Sequence, residues 1–373
     1  MSEPVRSNQL RLGYLALEAP IPGHAPHTHV HEMIRELTAL GWKVESYLAS
    51  RSGASAGRFF VLRLFDYLIL QARLICAFAK FDAIYVRAHF MALPAALAAR
   101  IVGKPVVHEV NGNNRDLVVT YPGLRPLLSV IESLQRWQLR WADRVFAVTP
   151  QLAEWARQEA GHARVEVVSN AANTNLFRPD GDRFEFGKPY VVFIGGLVRW
   201  HGIDTMIAAR NEPDWPENVA LLVVGDGIER EKLVTFTDTT GRLVWLGKRP
   251  YAEIPEILRG AFAALVPIEN PGQRSDTGVM PLKLFEAMAC GTPVVATDLA
   301  GQRELVLESK AGILVPPGDP QALARAVRAI VEDPASAERM GESGAALVNE
   351  KHSWRNRAQA VDDALRKVLG VKV

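Results

Sequence analysis

The segment from Ser275 to Glu304 carries the densest set of residues that could do chemistry, S-D-T-G-V-M-P-L-K-L-F-E-A-M-A-C-G-T-P-V-V-A-T-D-L-A-G-Q-R-E. It predicts a glycine-containing loop, a short helix with Pro281 in its first turn, and a buried strand from Thr292 to Ala296. Backbone amides at a helix N-terminus bind anions, because the N–H groups and the helix dipole both face the ligand. Glu286 lies in the apolar part of this helix, and a ribose diol is a suitable partner for such a carboxylate. The alternative to a binding site is that this loop and helix have only a structural role and pack together.

The ends of this helix also follow from residue types. Ser275, Asp276 and Thr277 are predicted to cap its N-terminus, because their side-chain oxygens can accept bonds from the first free amides. Gly291 and Pro293 predict its C-terminal end, since glycine favours the position after a helix and proline cannot continue one.

Two series of strand, glycine turn and helix surround this segment. Each series is typical of a doubly wound α/β domain with a parallel sheet, in which ligands bind at the carboxyl ends of the strands. Long helices are predicted over residues 126–142 and 354–369, and Thr149 with Pro150 predicts another helix start. The predicted strands are residues 10–17, 42–48, 81–86, 104–110, 144–148 and 165–168 in the first half, and 190–194, 221–224, 243–246 and 263–267 in the second.

Length and composition limit the class of protein. A chain of 373 residues is too long for one typical core and indicates two domains. The net charge of +2 implies no nucleic-acid partner. Two cysteines, Cys76 and Cys290, fit a reducing cytoplasm. The polar first residues predict no signal peptide, and no apolar run approaches the ~20 residues of a membrane span.

Four of the nine histidines lie close together in the first half: His24, His27, His29 and His31. Imidazole is a common metal ligand, but only His27 and His31 share a helix face, and no nearby Cys or acidic pair completes a ligand set. We therefore predict no metal site, and expect these residues to line a loop and helix start. His24 or His27 could still touch a substrate.

The segment from Arg51 to Lys80 combines five basic residues and one acid, Asp66, with many large apolar side chains. Such a segment could form a basic amphipathic helix on an anionic membrane surface. An ordinary helix covering the sheet is an equal alternative, and the sequence leaves the choice open.

Polar residues stand at the ends of two predicted strands in the first half. Arg87 and His89 follow one strand, while Glu109 and Asn111 lie along and after the next. The ends of neighbouring parallel strands meet at one sheet edge, so these side chains are predicted to contact a substrate. Capping of a loop is the alternative for His89 and Asn111, and an ion pair with Arg87 is the alternative for Glu109.

The run P-L-K-L-F-E-A-M-A-C-G-T-P-V-V-A, followed by G-Q-R-E, resembles the nucleotide-sugar signature of retaining glycosyltransferase family 4. The resemblance implies the GT-B fold, which has two Rossmann-like, doubly wound parallel-sheet domains facing a central cleft. We expect an acceptor-binding domain over residues 1–178, a nucleotide-sugar-binding domain over 179–351, and a C-terminal helix over 352–373 that crosses back to the first domain.

The resemblance also implies site residues, with four departures. Asn111 stands where the family often has a catalytically important His after the strand, whereas His89 stands where the family often has a His. The family has a Glu where this chain has Gly278, so Asp276 is a candidate to replace it as a catalytic residue beside His89 and Asn111. It has two cations where this chain has Gly196 and His201. The predicted acceptor-side residues are Gly23, His24, His27 and Glu109. The predicted donor-binding residues are Gly195, Gly196, Arg199, His201, Gly225, Lys248, Arg249, Gly278, Val279, Met280, Lys283 and Glu286.

The activity that the resemblance implies is hexosyl transfer with retention, from a UDP- or GDP-sugar to a glycan, a lipid-linked sugar or a small molecule, as in polysaccharide biosynthesis. It implies no metal and no other cofactor, and a front-face displacement in which the departing phosphate helps to deprotonate the acceptor. We expect a cytoplasmic protein, with peripheral contact to the inner face of the plasma membrane left open. The rival functions are a nucleotide-sugar epimerase on the same fold and a non-catalytic protein that binds nucleotide sugars.

Overall fold

The chain forms two compact units in a computed structural model. Unit 1 contains Met1–Ser169 and Arg355–Val373, and unit 2 contains Asn170–Trp354. The predicted boundaries after residues 178 and 351 lie nine and three residues from the limits at Ser169 and Trp354, and the roles predicted for the two domains stay predictions. The structure describes residues 9–20, 23–49, 60–114, 117, 122–236, 241–270 and 276–371.

Unit 1 is built on a six-stranded sheet in which every strand pair is parallel. The strand order is β2-β1-β3-β4-β5-β6. Strand β2 lies on one side of β1 and the later strands lie on the other side, so the switch point of this sheet is between β1 and β3. The strands are Arg11–Ala16 (β1), Lys43–Leu48 (β2), Ala83–Arg87 (β3), Val106–Val110 (β4), Arg144–Ala147 (β5) and Val165–Val167 (β6).

Helices connect these strands, and the last helix of the chain completes the unit. Thr149 accepts a hydrogen bond from the Leu152 amide and Pro150 is the first helical residue, as the sequence predicts. The helices are Ala25–Ala39 (α1), Phe60–Cys76 (α2), Leu93–Ile101 (α3), Leu128–Trp141 (α4) and Pro150–Ala160 (α5), and Trp354–Leu369 enters unit 1 at Arg355.

Unit 2 repeats this architecture with a second six-stranded parallel sheet. The order is β12-β11-β10-β7-β8-β9, so the switch point of this sheet lies between β7 and β10. The prediction of two doubly wound parallel sheets is thus confirmed. The strands are Tyr190–Ile194 (β7), Ala220–Val224 (β8), Leu243–Gly247 (β9), Ala264–Val266 (β10), Val294–Thr297 (β11) and Gly312–Val315 (β12).

Helices cover both faces of the second sheet, and its central strands are therefore apolar along their whole length. Two apolar clusters lie on the two faces: one contains Val192, Leu222 and Phe285, and the other contains Val191 and Leu221. The helices of unit 2 are Ile203–Arg210 (α6), Arg230–Phe236 (α7), Ile254–Gly260 (α8), Leu282–Ala289 (α9), Gln302–Ser309 (α10), Pro320–Glu332 (α11) and Pro334–Lys351 (α12). The C-terminal helix, Trp354–Leu369 (α13), belongs to unit 1 from Arg355 onward.

Two helix predictions need correction. Pro281 is the extended N-cap residue of α9 rather than part of its first turn, and no side chain caps the helix there. Asp276 and Thr277 therefore do not have the predicted capping role, and Ser275 lies outside the described residues. The predicted helix over 126–142 is a 3₁₀ turn, Pro122–Leu127, followed by α4, because the ring of Pro126 does not fit an α-helical interior.

None of the helices in the described ranges is both long and apolar enough to cross a bilayer.

Candidate functional site

Lys283 lies in the first turn of α9, at the switch point of the second sheet. Its ammonium nitrogen is 3.9 Å from the centre of the Phe193 ring, is shielded from solvent, and has no hydrogen-bond partner among the described residues. Burial lowers the pKa of Lys283 to about 7, although the carboxylate of Glu286 opposes this change. A buried amine without a partner is unfavourable in the free protein, and an anion placed beside it would remove that penalty.

The glycine turn after β7 leaves room for this lysine. Gly195 has φ +147°, and a Cβ there would lie 2.6 Å from the Lys283 Nζ. Gly225, after β8, has φ +135°, and a side chain on it would collide with the carbonyl of Gly195. Both positions require glycine, because their backbone conformation is strained for other residues and neighbouring atoms fill the space. The two turns therefore bring backbone close to the lysine at the carboxyl end of the sheet.

Glu286 is one turn further along α9 and is buried. Its Oε1 accepts a hydrogen bond of 2.8 Å from the hydroxyl of Tyr251, which follows β9. The ring of Tyr251 packs against Phe177, with ring centres 5.2 Å apart, and this contact holds the hydroxyl in position. A carboxylate can accept several hydrogen bonds, so the bond from Tyr251 is compatible with a diol at Glu286.

The loop before α9 is fixed by backbone contacts. Gly278 has φ +83°, and the Val279 amide donates to the carbonyl of Ala300 at 2.7 Å. The carbonyl of Met280 accepts from the Asn170 side chain at 2.7 Å. Asp276 is exposed at the start of the described part of this loop. Glu304, in the G-Q-R-E part of the motif, accepts from the amide of Gly301 and so completes a helix start.

The other predicted donor-site cations differ from Lys283 in their environment. Arg199 is 83% exposed and lies 3.7 Å from Glu229, and Arg249 is 3.8 Å from Glu253. Lys248 is also exposed. His201 forms a hydrogen bond between its Nδ1 and the carbonyl oxygen of Gly196, with the two atoms 2.5 Å apart. The structure thus brings Lys283 against the glycine turn and leaves the three other cations at the surface.

In unit 1, Glu109 is the centre of a buried polar cluster. It is 0% exposed, and its Oε1 is 2.8 Å from His29 Nε2 and 3.0 Å from Arg87 Nη1. Its Oε2 is 3.2 Å from Arg357 Nη2 and accepts from the Tyr85 hydroxyl. The ion pair with Arg87, which the sequence leaves as an alternative for Glu109, is therefore present.

Charge explains how this carboxylate stays ionised. Burial alone would raise the pKa of Glu109, but His29, Arg357 and Arg87 together hold it well below its ordinary value. Burial lowers the pKa of His29 to about 4, against the pull of Glu109. The cluster at neutral pH is therefore a carboxylate with two guanidinium groups and a neutral imidazole.

Two predicted substrate contacts in unit 1 have defined orientations. Asn111 donates from its Nδ2 to Glu109 Oε1 at 2.5 Å, so the carboxylate holds the amide in one orientation. The His89 Nδ1 accepts from the amide of Met91 at 3.2 Å and caps a 3₁₀ turn. Burial, with a smaller effect of Arg63, lowers the pKa of His89 to about 4. Its proton is thus on Nε2 at neutral pH, where it can be donated.

The remaining acceptor-side candidates lie at the start of α1. Gly23 has φ +86°, and His24 is the N-cap residue without a side-chain capping bond. His27 and His31 share a helix face with ring centres 4.0 Å apart, as predicted. Burial, followed by the nearby His31, lowers the pKa of His27. Within the described ranges, no group of three or more His, Cys, Asp or Glu residues could hold a metal ion.

Sequence reasoning missed three residues of these sites: Tyr251 beside Glu286, and His29 and Arg357 beside Glu109. His29 belongs to the histidine cluster noted above, but the helical spacing gave no sign that it faces the sheet. Tyr251 follows a predicted strand end, and this position was a usable sequence signal for a site residue. Nothing in the sequence around Arg357 indicated that it belongs to a site.

Family comparisons cover both halves of the chain. Residues 27–176 match the profile of Glycosyltransferase Family 4, and residues 188–333 match the profile of Glycosyl transferases group 1.

The chain is also similar to curated proteins. It is 31% identical over 219 residues to a GDP-mannose-dependent alpha-(1-6)-phosphatidylinositol monomannoside mannosyltransferase of Mycolicibacterium smegmatis, over 54% of this chain and 56% of that protein. It is 29% identical over 265 residues to a 2-deoxystreptamine glucosyltransferase of Streptomyces kanamyceticus, over 65% of each. The match thus spans between about half and two thirds of these relatives' lengths.

Solved structures share the fold over nearly the whole chain. Sucrose-phosphate synthase of Thermosynechococcus elongatus has a TM-score of 0.77 at 20% identity, covering 97% of this chain and 99% of that one. Anabaena HepE in complex with UDP-glucose has a TM-score of 0.71 at 19% identity, covering 96% and 100%. The fold, with its two six-stranded parallel sheets, is therefore of the GT-B class. The chain belongs to glycosyltransferase family 4.

Proposed function

We propose that the protein is a retaining hexosyltransferase that moves a sugar from a UDP- or GDP-sugar to a hydroxyl of a glycan, a lipid-linked sugar or a small molecule. The observation that carries the proposal is the solvent-shielded, unpartnered ammonium of Lys283 beside Gly195, at the switch point of the unit 2 sheet. Membership of family 4 supports it, as do relatives named for GDP-mannose and neighbours solved with UDP-glucose.

Lys283 is assigned to the diphosphate of the donor. Negative charge grows on the diphosphate as the bond to the sugar breaks, so a cation fixed beside it stabilises the transition state more than the ground state. The N-terminus of α9 adds the positive end of the helix dipole at the same place. In this proposal Lys283 replaces the two family cations that are absent at Gly196 and His201.

Glu286 is assigned to the ribose of the donor, with Tyr251 holding its carboxylate. Two neighbouring hydroxyls can donate to one carboxylate, and the buried position of Glu286 strengthens those bonds. The loop Gly278–Met280, and the turns at Gly195 and Gly225, are assigned to the rest of the donor, because glycine lets backbone approach a ligand closely.

The acceptor is assigned to unit 1. Asn111 and His89 are the candidates to position the reacting hydroxyl, and Gly23, His24 and His27 the candidates to contact the rest of the acceptor. Glu109 has the protein groups of its cluster around both oxygens, so we assign it to the orientation of Asn111 rather than to contact with the acceptor. Asp276 stays a candidate beside the departing phosphate.

Retention follows in this proposal from attack on the same face that the leaving group leaves. The departing phosphate oxygen takes the proton of the acceptor hydroxyl, so no protein base is needed between donor and acceptor. The positive charge that a metal would supply comes from Lys283 and the helix N-terminus, and we propose that transfer needs neither metal nor other cofactor.

Peripheral contact with an anionic membrane is a second part of the proposal. Phe65, Leu68 and Ile69 stand on the outer side of α2, and Phe65 and Ile69 are 57% and 59% exposed. Arg73 extends the same face by one turn. The basic residues Arg51 and Arg58 of the predicted amphipathic segment lie outside the described residues.

Nucleotide affinity tests the donor assignment directly. Calorimetric titration with UDP, GDP, ADP and TDP, with and without magnesium, is expected to give one strong, magnesium-independent ligand. Lys283→Met and Glu286→Gln are each expected to weaken it by about tenfold to a hundredfold, the value of a charged hydrogen bond. Lys351→Met and Glu308→Gln, which break an exposed pair outside the predicted site, serve as matched controls and are expected to change affinity by less than about threefold.

The outcomes separate the rival functions. Nucleotide affinity that Lys283→Met and Glu286→Gln leave as unchanged as the controls do contradicts the donor assignment. If the nucleotide binds as expected, the matching nucleotide sugar is incubated with the protein alone and with a panel of acceptors. Product that appears only with an acceptor supports transfer, an epimerised sugar without acceptor supports the epimerase, and no turnover with any acceptor favours the non-catalytic protein.

A further inference from the structure

The surroundings of Lys283 favour the neutral form of its amine in the free protein. Its Nζ lies 3.9 Å from the centre of the Phe193 ring and, among the described residues, has no hydrogen-bond partner. The face of an aromatic ring attracts a cation, but more weakly than the hydration that burial removes. Lys283 is also the second residue of α9, where the positive end of the helix dipole opposes another positive charge. Burial and the helix dipole therefore both act against an ammonium at this position.

Neighbouring charges do not cancel this preference. Burial lowers the pKa of Lys283 to about 7, and the charge of Glu286, one turn further along α9, only opposes the change. The turns after β7 and β8 and the loop before α9 carry further titratable or charged groups: His201, Arg199, Asp226 and Asp276. The last three of these are exposed, so water screens their charges. The Nδ1 of His201 is engaged by the carbonyl of Gly196.

A diphosphate beside the nitrogen would reverse the preference. Its oxygens are negatively charged at neutral pH and accept hydrogen bonds. An ammonium offers them a positive charge and three N–H donors, whereas a neutral amine has no charge and turns a lone pair towards any acceptor it does not donate to. The ammonium is therefore the form of Lys283 that binds the anion. A protein molecule that holds the neutral amine must take up a proton as the diphosphate enters.

We propose that the donor site binds its nucleotide together with one proton, which Lys283 takes from the solvent, a coupling that rests on the assignment of Lys283 to the donor diphosphate. The proton adds to the lone pair of the Nζ, so unit 2 gains one positive charge when the anion arrives. Donor affinity therefore falls as the solution becomes more alkaline, and the diphosphate product is released more readily for the same reason. In mildly acidic solution the amine is protonated before the nucleotide arrives, and the coupling disappears.

Linkage gives the size of the effect. Above pH 7 most of the free protein holds the neutral amine, because the pKa of Lys283 is about 7 in the free state. If the bound lysine stays protonated, the affinity for a nucleoside diphosphate is expected to fall about eightfold between pH 7.5 and pH 8.5. Phosphate groups titrate near pH 6, so the nucleotide itself contributes little to the change in this range.

Calorimetry measures the proton directly. The full-length protein is titrated with UDP and with GDP at pH 8.0, once in Tris and once in HEPES, which differ in their enthalpies of ionisation. Phosphate buffer is avoided, because inorganic phosphate would compete for the ammonium of Lys283. The difference between the two binding heats, divided by the difference between the two ionisation enthalpies, gives the number of protons taken up. We expect about 0.9 proton for each nucleotide bound.

Variants assign the proton to Lys283. Lys283→Met is expected to bind the nucleotide more weakly and to lose the uptake, and Lys283→Arg, which keeps its charge at every pH used, is expected to show an affinity that does not change between pH 7.5 and pH 8.5. Lys351→Met, at an exposed lysine paired with Glu308, is the control and is expected to keep the uptake of the wild type. If neither variant of Lys283 folds, the pH dependence of the wild-type affinity decides.

The outcomes separate this coupling from the donor assignment. Nucleotide binding with the same heat in both buffers, or with the same affinity at pH 7.5 and pH 8.5, overturns the coupling and leaves the donor assignment in place. Proton uptake that persists in Lys283→Met also overturns the coupling, because another group then takes the proton. Absence of binding by both UDP and GDP overturns the donor assignment and the coupling together.

Discussion

Lys283 is an unfavourable residue in the free protein. Its ammonium is shielded from water and lies on an aromatic ring without a hydrogen-bond partner in the described chain. Residues of this kind are tolerated where a ligand uses them, since the site is prepared before the ligand arrives. The lysine therefore lowers the stability of the free protein in return for affinity towards an anion.

The stability of the free protein tests this description. The folded pKa of Lys283 is about 7 and the unfolded value is 10.5, so the unfolded chain binds more protons between these values. This lysine's contribution to the free energy of unfolding therefore rises as pH rises from 7 to 10.5, and its penalty is complete below pH 7. Lys283→Met is expected to stabilise the protein by about 1–3 kcal/mol at pH 6.5 or below, and by little at pH 10.

Urea unfolding of both proteins across this pH range measures the difference. Lys351→Met, which removes an exposed lysine paired with Glu308, is the control and is expected to show no gain. A Lys283→Met protein that is less stable than the wild type at pH 6.5 would contradict a penalty at this position.

At the residue scale, sequence reasoning identified the site residues that lie within one short motif. It missed the contacts between residues that are distant in sequence. Lys283 and Glu286 could be predicted because helix spacing and the glycine loop place both of them near one helix start. Tyr251 and Arg357 contact Glu286 and Glu109, respectively, through tertiary packing. The strand end before Tyr251 was a signal for a residue near the site, but local pattern does not identify the partner that either residue contacts. Glu109 was found as a polar residue on a strand, but its burial at the centre of five partners could not be predicted.

Helix α2 has one face that packs and one that does not. On the packed side, Gln71 donates to the carbonyls of Tyr67 and Met91 and accepts from the amide of Ala95, which fixes the helix against its neighbour. On the outer side, Phe65 and Ile69 are one turn apart and more than half exposed. Both readings that the sequence left open, covering the sheet and presenting an apolar basic face, are therefore compatible with this one helix.

The outer face of α2 gives a prediction for membranes. Phe65→Ser/Ile69→Ser is expected to reduce binding to phosphatidylglycerol vesicles by about tenfold or more, because each apolar side chain that enters the interface contributes about 1 kcal/mol or more. Cosedimentation with anionic and neutral vesicles measures it, and Leu307→Ser, at an exposed apolar residue of unit 2, is the control. Wild-type protein that never sediments with anionic vesicles rules out the membrane contact.

At the element scale the sequence predicts most of the fold. The eleven predicted strands agree with the structure within about two residues, because buried parallel strands are continuous apolar runs that end at glycine turns, but Gly312–Val315 (β12) was not predicted. Helix α13 has the predicted bounds, Trp354–Leu369. The start of α9 was placed too early, since proline is acceptable both at a first helical position and just before a helix, and only the backbone conformation distinguishes the two.

At the scale of the whole molecule, unit 1 is assembled from two distant parts of the chain. Arg357, near the start of α13, reaches Glu109 on β4 and donates to the carbonyls of Val168 and Ser169. Arg357 is 4% exposed, so these contacts have little competition from water. The C-terminal helix is thus joined to the unit 1 sheet by an ion pair and by charged hydrogen bonds.

Removal of this cation is expected to be costly. Arg357→Met leaves Glu109 short of one positive partner in a buried site and is expected to lower the free energy of unfolding by about 3–5 kcal/mol. Arg355→Met, two residues earlier, removes an exposed pair with Glu36 and is the matched control, with an expected loss below about 1 kcal/mol. Urea unfolding measures the free energy of unfolding of each variant. Amide hydrogen exchange is expected to locate the loss of stability in β4 and its neighbours rather than in unit 2. Equal losses for the two variants would exclude the buried ion pair as a main source of stability.

The position of Arg357 also determines when each unit can be finished during synthesis. Domains usually complete in the order in which the ribosome releases them, the N-terminal one first. Here the whole of unit 2 leaves the ribosome before residue 357 does, so unit 2 can close while unit 1 still holds a buried carboxylate with part of its positive charge missing. The unit that begins the chain is therefore the last to become stable, and the nascent protein depends on its final helix for that step.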